Sequence, residues 1–276
     1  MIWSALAAAR RRDASRRVPF VVEGRPVGSV ERDHLVALAA WPRWLRIGTE
    51  QVELIAQDRD AALAAVNASL RSLGLVRAWR GEFFALLDPQ TGQRMARIER
   101  AACRFWGTLT LGAHANGYVA DAQGRPSHLW IARRSASKAT DPGLLDNLIG
   151  GGVADGQSPR QALVREAWEE AGLSPAQVEK APTGHVLRLH RDIAEGLQLE
   201  DLHTFDVLMP ASLQPINQDG EVAGFECLPV QQALTAAAGS GMTVDAALVT
   251  LDFALRHRLL EPTVADVLSP LFPRRP

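Results

Sequence analysis

The sequence predicts an α/β protein in which helices flank a mixed β-sheet, preceded by a smaller α+β domain. Strand-like segments and turns alternate after residue 100, and one strongly capped helix interrupts them. The first 100 residues carry 16 arginines and 11 acidic residues, whereas the whole chain has 30 basic and 31 acidic residues, so the remainder is acidic. We therefore predict two domains, residues 1–100 and 101–276.

Composition excludes several classes of protein. A hydrophobic share of 47% and a charged share of 22% are those of an ordinary globular chain, not of a disordered or fibrous one. No run of about 18 apolar residues occurs, so no membrane span is predicted. The net charge of −1 argues against a general polyanion binder, and we expect no nucleic acid partner. Cys103 and Cys227 lack the spacing of a metal site or a disulfide framework, which fits a reducing compartment and a cytoplasmic location.

The first domain is predicted to open with a helix. Residues 1–9 are an apolar run followed by arginines, whereas a secretory signal has its positive charge before the apolar run. Residues 60–74 form a further helix, capped by Asp60 and ended by Gly74. Residues 81–87 and 94–98 flank an Asp-Pro turn and predict a strand hairpin. The tryptophans of this domain are predicted to be core residues rather than a binding platform: Trp3, Trp41, Trp44 and Trp79.

The second domain is predicted to contain the mixed sheet. The predicted strands are residues 106–111, 117–120, 129–132, 148–149, 186–189 and 202–209. Residues 243–257 form an amphipathic helix, because Val244, Leu248, Leu251 and Leu255 recur at helical spacing.

The most informative segment is a glycine-rich turn followed by a helix, Pro159–Ala171. Ser158 and Gln161 form a capping box, Pro159 occupies the first helical position, and Gly172 supplies the left-handed stop. These signals predict both ends of the helix.

This helix carries three closely spaced acids. Glu166, Glu169 and Glu170 recur at i, i+3 and i+4, and we expect them opposite an apolar side that includes Leu163 and Trp168. Three like charges at this spacing destabilise a helix slightly and alone indicate only a solvated face. The glycines at 150–152 lead into the helix and let backbone carbonyls approach a ligand closely. Hard oxygen ligands of this kind suit Mg²⁺.

The segment resembles the Nudix box, G-x5-E-x7-R-E-U-x-E-E-x-G-U. The matching residues are Gly151, Arg165, Glu166, Ala167, Glu169, Glu170, Gly172 and Leu173. Gln157 stands where the box has its first acid and is the one departure. The resemblance implies the Nudix α/β/α sandwich and divalent-metal hydrolysis of a diphosphate linked to another group.

The same resemblance implies a set of catalytic residues. Glu166, Glu169 and Glu170 would hold Mg²⁺ or Mn²⁺ with a backbone carbonyl near Gly150, and Arg165 would orient a glutamate. Nudix enzymes differ in their water-activating base, so no single glutamate is assigned to that role. They often take one further acid from downstream, and Glu200 and Glu221 are the favoured candidates.

A narrower resemblance extends over most of the chain. Residues 106–121, 133–153 and 219–234, together with the closing helix, are similar to the Nudix subgroup found joined to thiamine pyrophosphokinase. Stand-alone members of this subgroup carry an amino-terminal domain of unknown function, similar to residues 1–100 here. The resemblance implies hydrolysis of thiamine diphosphate or its analogues to monophosphates.

Residues 134–143 also resemble a segment of isopentenyl-diphosphate isomerase, a Nudix relative. That enzyme has a catalytic cysteine just after the following asparagine, whereas Leu148 follows Asn147 here, so isomerase activity is disfavoured. The resemblance still implies diphosphate contacts for Arg134 and Lys138. Further candidate substrate contacts are His114, Asn116, Asp146 and Asn147, with turn formation and capping as the structural alternatives.

The sequence therefore predicts a metal-dependent pyrophosphohydrolase that acts on a small organic diphosphate. A nucleoside-diphosphate-linked or ADP-ribose pyrophosphatase is the alternative in the same class. A Nudix-fold binding or regulatory module is the alternative in another class, with Gln157 marking weakened catalysis. No membrane partner is expected, and the sequence leaves a homodimer open.

Overall fold

The computed structural model of the chain describes residues 3–269 and residue 272, so Met1 and Ile2 of the predicted opening helix lie outside the described residues. Helix α1 (Ser4–Ala8) confirms the described part of that helix. Trp3, Ala5 and Ala9 pack among apolar side chains of the second domain, not of the first. The start of the chain therefore helps to close the core of the second domain.

The amino-terminal sheet has four strands in the order β2-β1-β4-β3. They are β1 (Arg17–Val22), β2 (Arg25–Glu31), β3 (Leu45–Ile47) and β4 (Val52–Leu54), accompanied by 3-10 turns at Ala14–Arg16 and Arg32–His34 and by helix α2 (Leu35–Leu38). None of these strands is predicted from the sequence, because Pro19 interrupts the apolar run of β1 and β3 and β4 have only three residues each.

The rest of the amino-terminal domain follows the sequence prediction with small corrections. Helix α3 (Arg59–Ser72) is capped by Asp58, which accepts a hydrogen bond from the backbone N–H of Ala61. The predicted cap, Asp60, instead accepts a hydrogen bond from the backbone N–H of Arg97. Strands β5 (Phe83–Leu87) and β6 (Arg94–Glu99) form the predicted hairpin.

The four tryptophans of the amino-terminal segment pack as core residues, as predicted. Trp3 is buried, and Trp41, Trp44 and Trp79 are partly buried against the amino-terminal core.

Trp106 ends helix α4 (Ala102–Trp106), where the sequence predicted the start of a strand. Gly107 has a positive φ of 52° and ends this helix in the left-handed conformation. The Trp106 indole is fully buried and donates a hydrogen bond to Asn67 at 2.7 Å. Burial of this large side chain in the amino-terminal core stabilises a helical turn at Trp106 relative to the predicted strand.

The second domain contains a seven-stranded mixed sheet. Its strands are β7 (Leu109–Ala120), β8 (Pro126–Arg134), β9 (Leu145–Asp146), β10 (Ile149–Gly152), β11 (Thr183–Ile193), β12 (Gly196–Leu208) and β13 (Val222–Pro229). The main order is β11-β12-β7-β8-β13, with β10 paired to β7 and β9 paired to β8. β12 and β7 run parallel and the other pairs antiparallel. The two strands predicted at 106–111 and 117–120 are a single strand, β7.

Helices cover both faces of this sheet. They are α5 (Pro159–Ala171), α6 (Pro175–Val178), α7 (Val230–Ala238), α8 (Val244–Arg256) and α9 (Pro262–Leu268). α5 packs on the face that carries Ala113 and Ala115, whose small side chains allow a close approach. α7 and α8 pack on the other face, over Leu129 and Leu187. This is the predicted α/β/α sandwich, and no helix in the described part of the chain is long and apolar enough to cross a membrane.

A buried group of charges joins α8 to the sheet. Arg256 binds Asp206 on β12 with two hydrogen bonds, of 2.5 and 2.8 Å, and Asp252 one helical turn before it at 2.8 Å. Burial raises the pKa of Asp252, but Arg256 and hydrogen bonds from His185 and Thr204 outweigh it and hold the pKa below its ordinary value. Both aspartates therefore share one guanidinium, and each also contacts one histidine, His185 at Asp252 and His257 at Asp206.

We predict that Arg256→Met lowers the free energy of unfolding by about 3–5 kcal/mol, because it leaves two buried carboxylates without their cation. Arg125→Met is the control, since exposed Arg125 pairs with Asp121 alone among the described residues and its loss should cost less than about 1 kcal/mol. Urea denaturation at neutral pH measures both values. The ion pair's contribution is complete above the ordinary Asp pKa of about 3.9 and is lost as the pH falls through the lower folded pKa of Asp252. Equal stabilities of the two variants would show that Arg256 does not stabilise the two buried aspartates.

Candidate active site

The glycine strand β10 and helix α5 lie in direct contact. The backbone N–H of Gly150 donates a hydrogen bond of 2.8 Å to Oε2 of Glu170. A Cβ at Gly151 would lie only 2.0 Å from the carboxyl carbon of Glu166, and a Cβ at Gly150 would lie 2.9 Å from the His114 ring. A side chain at Gly151 would push the helix away from the strand, so this glycine is needed for the approach of Glu166, whereas Gly150 leaves room for the His114 ring on the other face of the sheet.

The orientation of α5 corrects the prediction that all three glutamates lie opposite the apolar side of the helix. Glu166 and Glu170 are only 7% and 6% exposed, whereas Trp168, predicted on the apolar side, is 54% exposed. At 100° per residue Glu170 lies beside Leu163 rather than opposite it. The side of the helix that faces the sheet therefore contains both the apolar residues and two of the three acids.

Burial makes the negative charges of Glu166 and Glu170 unfavourable. Burial, reinforced by neighbouring Glu166, raises the pKa of Glu170 to about 8, and Lys138 only partly opposes this shift. Burial also raises the pKa of Glu166, against the pull of Arg165. The Nζ atom of Lys138 lies 3.8 Å from Oε1 of Glu170. Two partly uncompensated carboxylates at one place favour the binding of a cation.

Arg165 holds the outer side of the acidic helix face. Its guanidinium lies 2.8 Å from Oε1 of Glu166 and 2.8 Å from Oε2 of Glu169, and it donates a 3.1 Å hydrogen bond to the carbonyl oxygen of Gly152. These contacts tie two glutamates to the end of β10. They are the contacts that the predicted orienting role needs, and the role itself stays a prediction.

The two candidate downstream acids, Glu200 and Glu221, have different surroundings. Glu221 binds Lys138 and accepts a 2.9 Å hydrogen bond from Arg80, so it lies next to the acidic pair of α5. Glu200 accepts hydrogen bonds from Arg104 at 3.2 Å and from Gln198 at 2.8 Å. Glu221 is therefore the downstream acid that the fold brings to Lys138 and Glu170.

Arg134 lies on the loop side of the site. It forms a 2.7 Å ion pair with Asp146 and donates to the carbonyl oxygens of Thr140 and Asp141. These bonds close the loop that carries Lys138. Arg134 and Asp146 thus position this loop, whereas Lys138 reaches the glutamates directly.

The remaining candidate substrate contacts form a buried polar network. His114 lies 3.2 Å from Asn147, which donates to Asn116 at 3.1 Å, and Asn116 donates to the Val249 carbonyl at 3.1 Å. All three side chains are buried, and their hydrogen bonds join β7 to α8. This geometry favours a structural role for His114, Asn116 and Asn147.

Gln157 lies in the turn before α5. Its backbone N–H donates to Ala154 at 3.0 Å, while its side-chain Oε1 is buried without a hydrogen-bond partner among the described residues. An acceptor atom buried in this way is uncommon, because most buried polar atoms have a hydrogen-bond partner. The turn therefore offers one unused oxygen beside the acidic helix.

The amino-terminal hairpin supplies site residues that the sequence did not indicate. Arg100 and Glu82 form a 2.7 Å ion pair, and Glu82 lies 4.0 Å from Arg165. The ring of Phe84 packs on Gly152, where a Cβ would lie 2.3 Å from it. The hairpin itself is predicted correctly, but its proximity to α5 has no signal in the sequence.

The donor atoms at this site fit a divalent metal ion. Among residues 3–269 and 272 there is no preformed group of three or more His, Cys, Asp or Glu side chains with ligand geometry. Mg²⁺ does not need such a cage, because it commonly binds one or two carboxylates together with water and substrate phosphates. Glu166 and Glu170, buried with raised pKa values beside the backbone of Gly150, provide that kind of partial site.

Known families match both parts of the chain. A profile for the NUDIX domain matches residues 110–246, and a profile for a domain of unknown function, DUF4743, matches residues 3–110. The two matches meet at residue 110, and the division at residue 100 stays a prediction.

Curated relatives carry the name Nudix hydrolase. Nudix hydrolase 20, chloroplastic, of Arabidopsis thaliana is 37% identical over 216 residues, which cover 77% of this chain and 57% of that protein. Nudix hydrolase 24, chloroplastic, of the same plant is 35% identical and is matched over 75% of this chain and 56% of its own length. A Nudix hydrolase of Deinococcus radiodurans is 31% identical and is matched over 39% of this chain and 69% of its own length. The chain thus spans a little over half the length of the two plant relatives.

We predict that Mn²⁺ raises the melting temperature of the wild-type protein and has a much smaller effect on Glu170→Gln. Glutamine keeps the shape of the side chain but cannot carry the negative charge that attracts the ion. Without metal, the variant should be as stable as the wild type or more stable, because the charge it loses is disfavoured by burial. Exposed Glu195→Gln is the control and should respond to Mn²⁺ like the wild type. An equal response of all three proteins would remove Glu170 from the metal site.

Proposed function

Because the chain belongs to the Nudix family, we propose that it is a pyrophosphohydrolase that uses Mg²⁺ or Mn²⁺ to cleave the P–O–P bond of an organic diphosphate. One observation carries the proposal: Glu166 and Glu170 are buried together against the backbone of β10, where a cation would offset their charge. Relatives named Nudix hydrolases support the same reaction class.

Each residue of the site has a defined task in this reaction. Glu166 and Glu170, with Glu169 beside them, would hold the metal, and Arg165 keeps two of these carboxylates in place. A metal bound there would neutralise diphosphate oxygens and lower the pKa of a bound water molecule. Lys138 stands next to Glu170 with its ammonium directed at the acidic pair, which suits contact with a phosphate oxygen. No single glutamate is assigned as the base.

The identity of the leaving group is the narrower part of the proposal. A thiamine-type diphosphate is favoured by the sequence resemblance alone, and the relatives' names do not support it. A nucleoside diphosphate derivative, ADP-ribose included, is the alternative within the same reaction. We also propose a cytoplasmic location and a small-molecule partner, with a homodimer and the absence of a nucleic acid partner left as predictions.

We predict Mg²⁺-dependent cleavage in a screen of thiamine diphosphate, oxythiamine diphosphate, ADP-ribose, a nucleotide sugar and nucleoside diphosphates. Thiamine-type diphosphates should give a monophosphate and inorganic phosphate with a better kcat/KM than ADP-ribose. Glu170→Gln should reduce turnover by about 10²–10⁴-fold through loss of metal-activated water. A tenfold advantage of ADP-ribose or a nucleotide sugar, about 1.4 kcal/mol, would favour the nucleotide alternative. Absence of metal-dependent cleavage of every compound would contradict the proposed function.

We predict that Gln157→Glu changes kcat and the Mg²⁺ requirement little, because Glu166, Glu169 and Glu170 already supply the hard oxygen ligands. Glutamine at this position can still orient water through its carbonyl oxygen but is a poor base. Parallel Mg²⁺ titrations of wild-type and variant turnover measure the effect. An inactive wild type rescued by the glutamate would identify the chain as a catalytically weak binding or regulatory module.

A further inference from the structure

The hairpin β5–β6 of the amino-terminal domain is docked on the turn that precedes the acidic helix. The backbone N–H of Asp155 donates to the carbonyl oxygen of Phe83 at 2.8 Å, and Arg94 binds the Asp155 carboxylate through two hydrogen bonds, of 2.8 and 2.7 Å. The Phe84 ring fills the space over Gly152. These contacts hold the hairpin against the segment that leads from β10 to α5.

This docking places Arg100 near the acidic helix, because its partner Glu82 also lies 4.0 Å from Arg165. Its Nη1 atom donates to Glu82 at 2.7 Å, and its guanidinium lies over the Phe84 ring at 5.4 Å. Burial would lower the pKa of Arg100, but the charges of Glu82, Glu166 and Glu200 outweigh it and raise the pKa. The side chain is still one third exposed, at 33%. Arg100 is thus held by Glu82 of the hairpin, lies within electrostatic reach of Glu166 and is partly exposed to solvent.

Arg80 approaches the site from another side. Its Nη1 atom lies 2.9 Å from Glu221, which also binds Lys138, and Lys138 stands next to Glu170. Burial lowers the pKa of Arg80, and the nearby positive charges of Arg100 and Arg134 lower it further. Residues far apart in the sequence therefore place like charges close together.

Such crowding of cations is unfavourable unless anions balance it. Within the described residues, the side chain of Arg100 has one hydrogen-bond partner, Glu82, and that of Arg80 has one, Glu221. Most N–H groups of both guanidinium ions therefore have no hydrogen-bond partner among those residues. A metal held by Glu166 and Glu170 would take up the charge of those carboxylates and leave the surrounding cations in excess. A guanidinium with free N–H groups is suited to bind phosphate oxygens, because its planar fork matches their geometry.

We propose that the amino-terminal domain forms part of the active site, and that Arg80 and Arg100 bind phosphate oxygens of the diphosphate substrate. This assigns a ligand-binding role to the domain that matches DUF4743. The inference rests on the proposed function for the identity of the ligand. The structural alternative is that both arginines serve only in ion pairs, Arg80 with Glu221 of the second domain and Arg100 with Glu82 of its own domain.

The test measures binding of Mg²⁺-methylenediphosphonate, a non-hydrolysable diphosphate, to the full-length protein by calorimetry. Arg100→Gln and Arg80→Gln should each weaken binding about tenfold, which corresponds to about 1.4 kcal/mol. Arg100→Lys should recover part of the loss, because it keeps the charge without the planar fork. Arg97→Gln is the matched control on the same hairpin, since Arg97 lies over Phe83 and near Asp60, and it should bind like the wild type.

Two further readouts separate the explanations. Thermal unfolding with and without Mn²⁺ should show a wild-type metal response in the arginine variants, because the acidic pair is intact. The substrate screen tests the proposed function independently, since it asks whether the wild type cleaves any diphosphate. Wild-type affinity for Mg²⁺-methylenediphosphonate in folded Arg100→Gln and Arg80→Gln, or no binding of this probe to the wild type, would overturn the inference.

Discussion

The contact between the glutamates of α5 and the backbone of β10 is the constraint on which the rest of the site depends. Glu166 can be buried beside this strand because Gly151 has no side chain in its way, and Glu170 accepts a hydrogen bond from the backbone N–H of Gly150. The helix must also lie close to the sheet, which the small residues Ala113 and Ala115 allow. The close packing of the acidic helix therefore requires both the glycine-rich strand and the small residues on this face of the sheet.

Buried negative charge in turn explains why so many cations surround this point. Arg165 comes from the same helix, Lys138 from the loop that Arg134 closes, and Arg80 and Arg100 from the amino-terminal domain. Each segment contributes a positive charge that offsets part of the free-energy cost of burying the two carboxylates. The same arrangement suits a metal-bound diphosphate, because the metal satisfies the carboxylates and the phosphates satisfy the cations.

The opposite face of the sheet shows a different use of polar residues. His114, Asn116 and Asn147 bond to one another and to α8, and Arg256 fastens the same helix to β12. These groups have protein partners for their hydrogen bonds, so they stabilise the sandwich. The polar residues on the α8 face therefore stabilise the fold, whereas the charged residues beside α5 remain available to bind a ligand.

Signals that act within a few residues were enough to predict α5 with both ends, the β5–β6 hairpin, α8 and the α/β class. Capping, turn chemistry and periodicity depend only on neighbours along the chain, so the sequence by itself determined these elements and the identity of the acidic helix. It did not determine which side of α5 faces the sheet, that Trp106 ends a helix, or that Glu221 rather than Glu200 stands beside Lys138. It also carried no sign of Arg100 and Glu82 at the site. These features follow from the pairing and docking of segments far apart in the chain, and only the tertiary structure decided them, because burial and charge compensation depend on which distant residues come into contact.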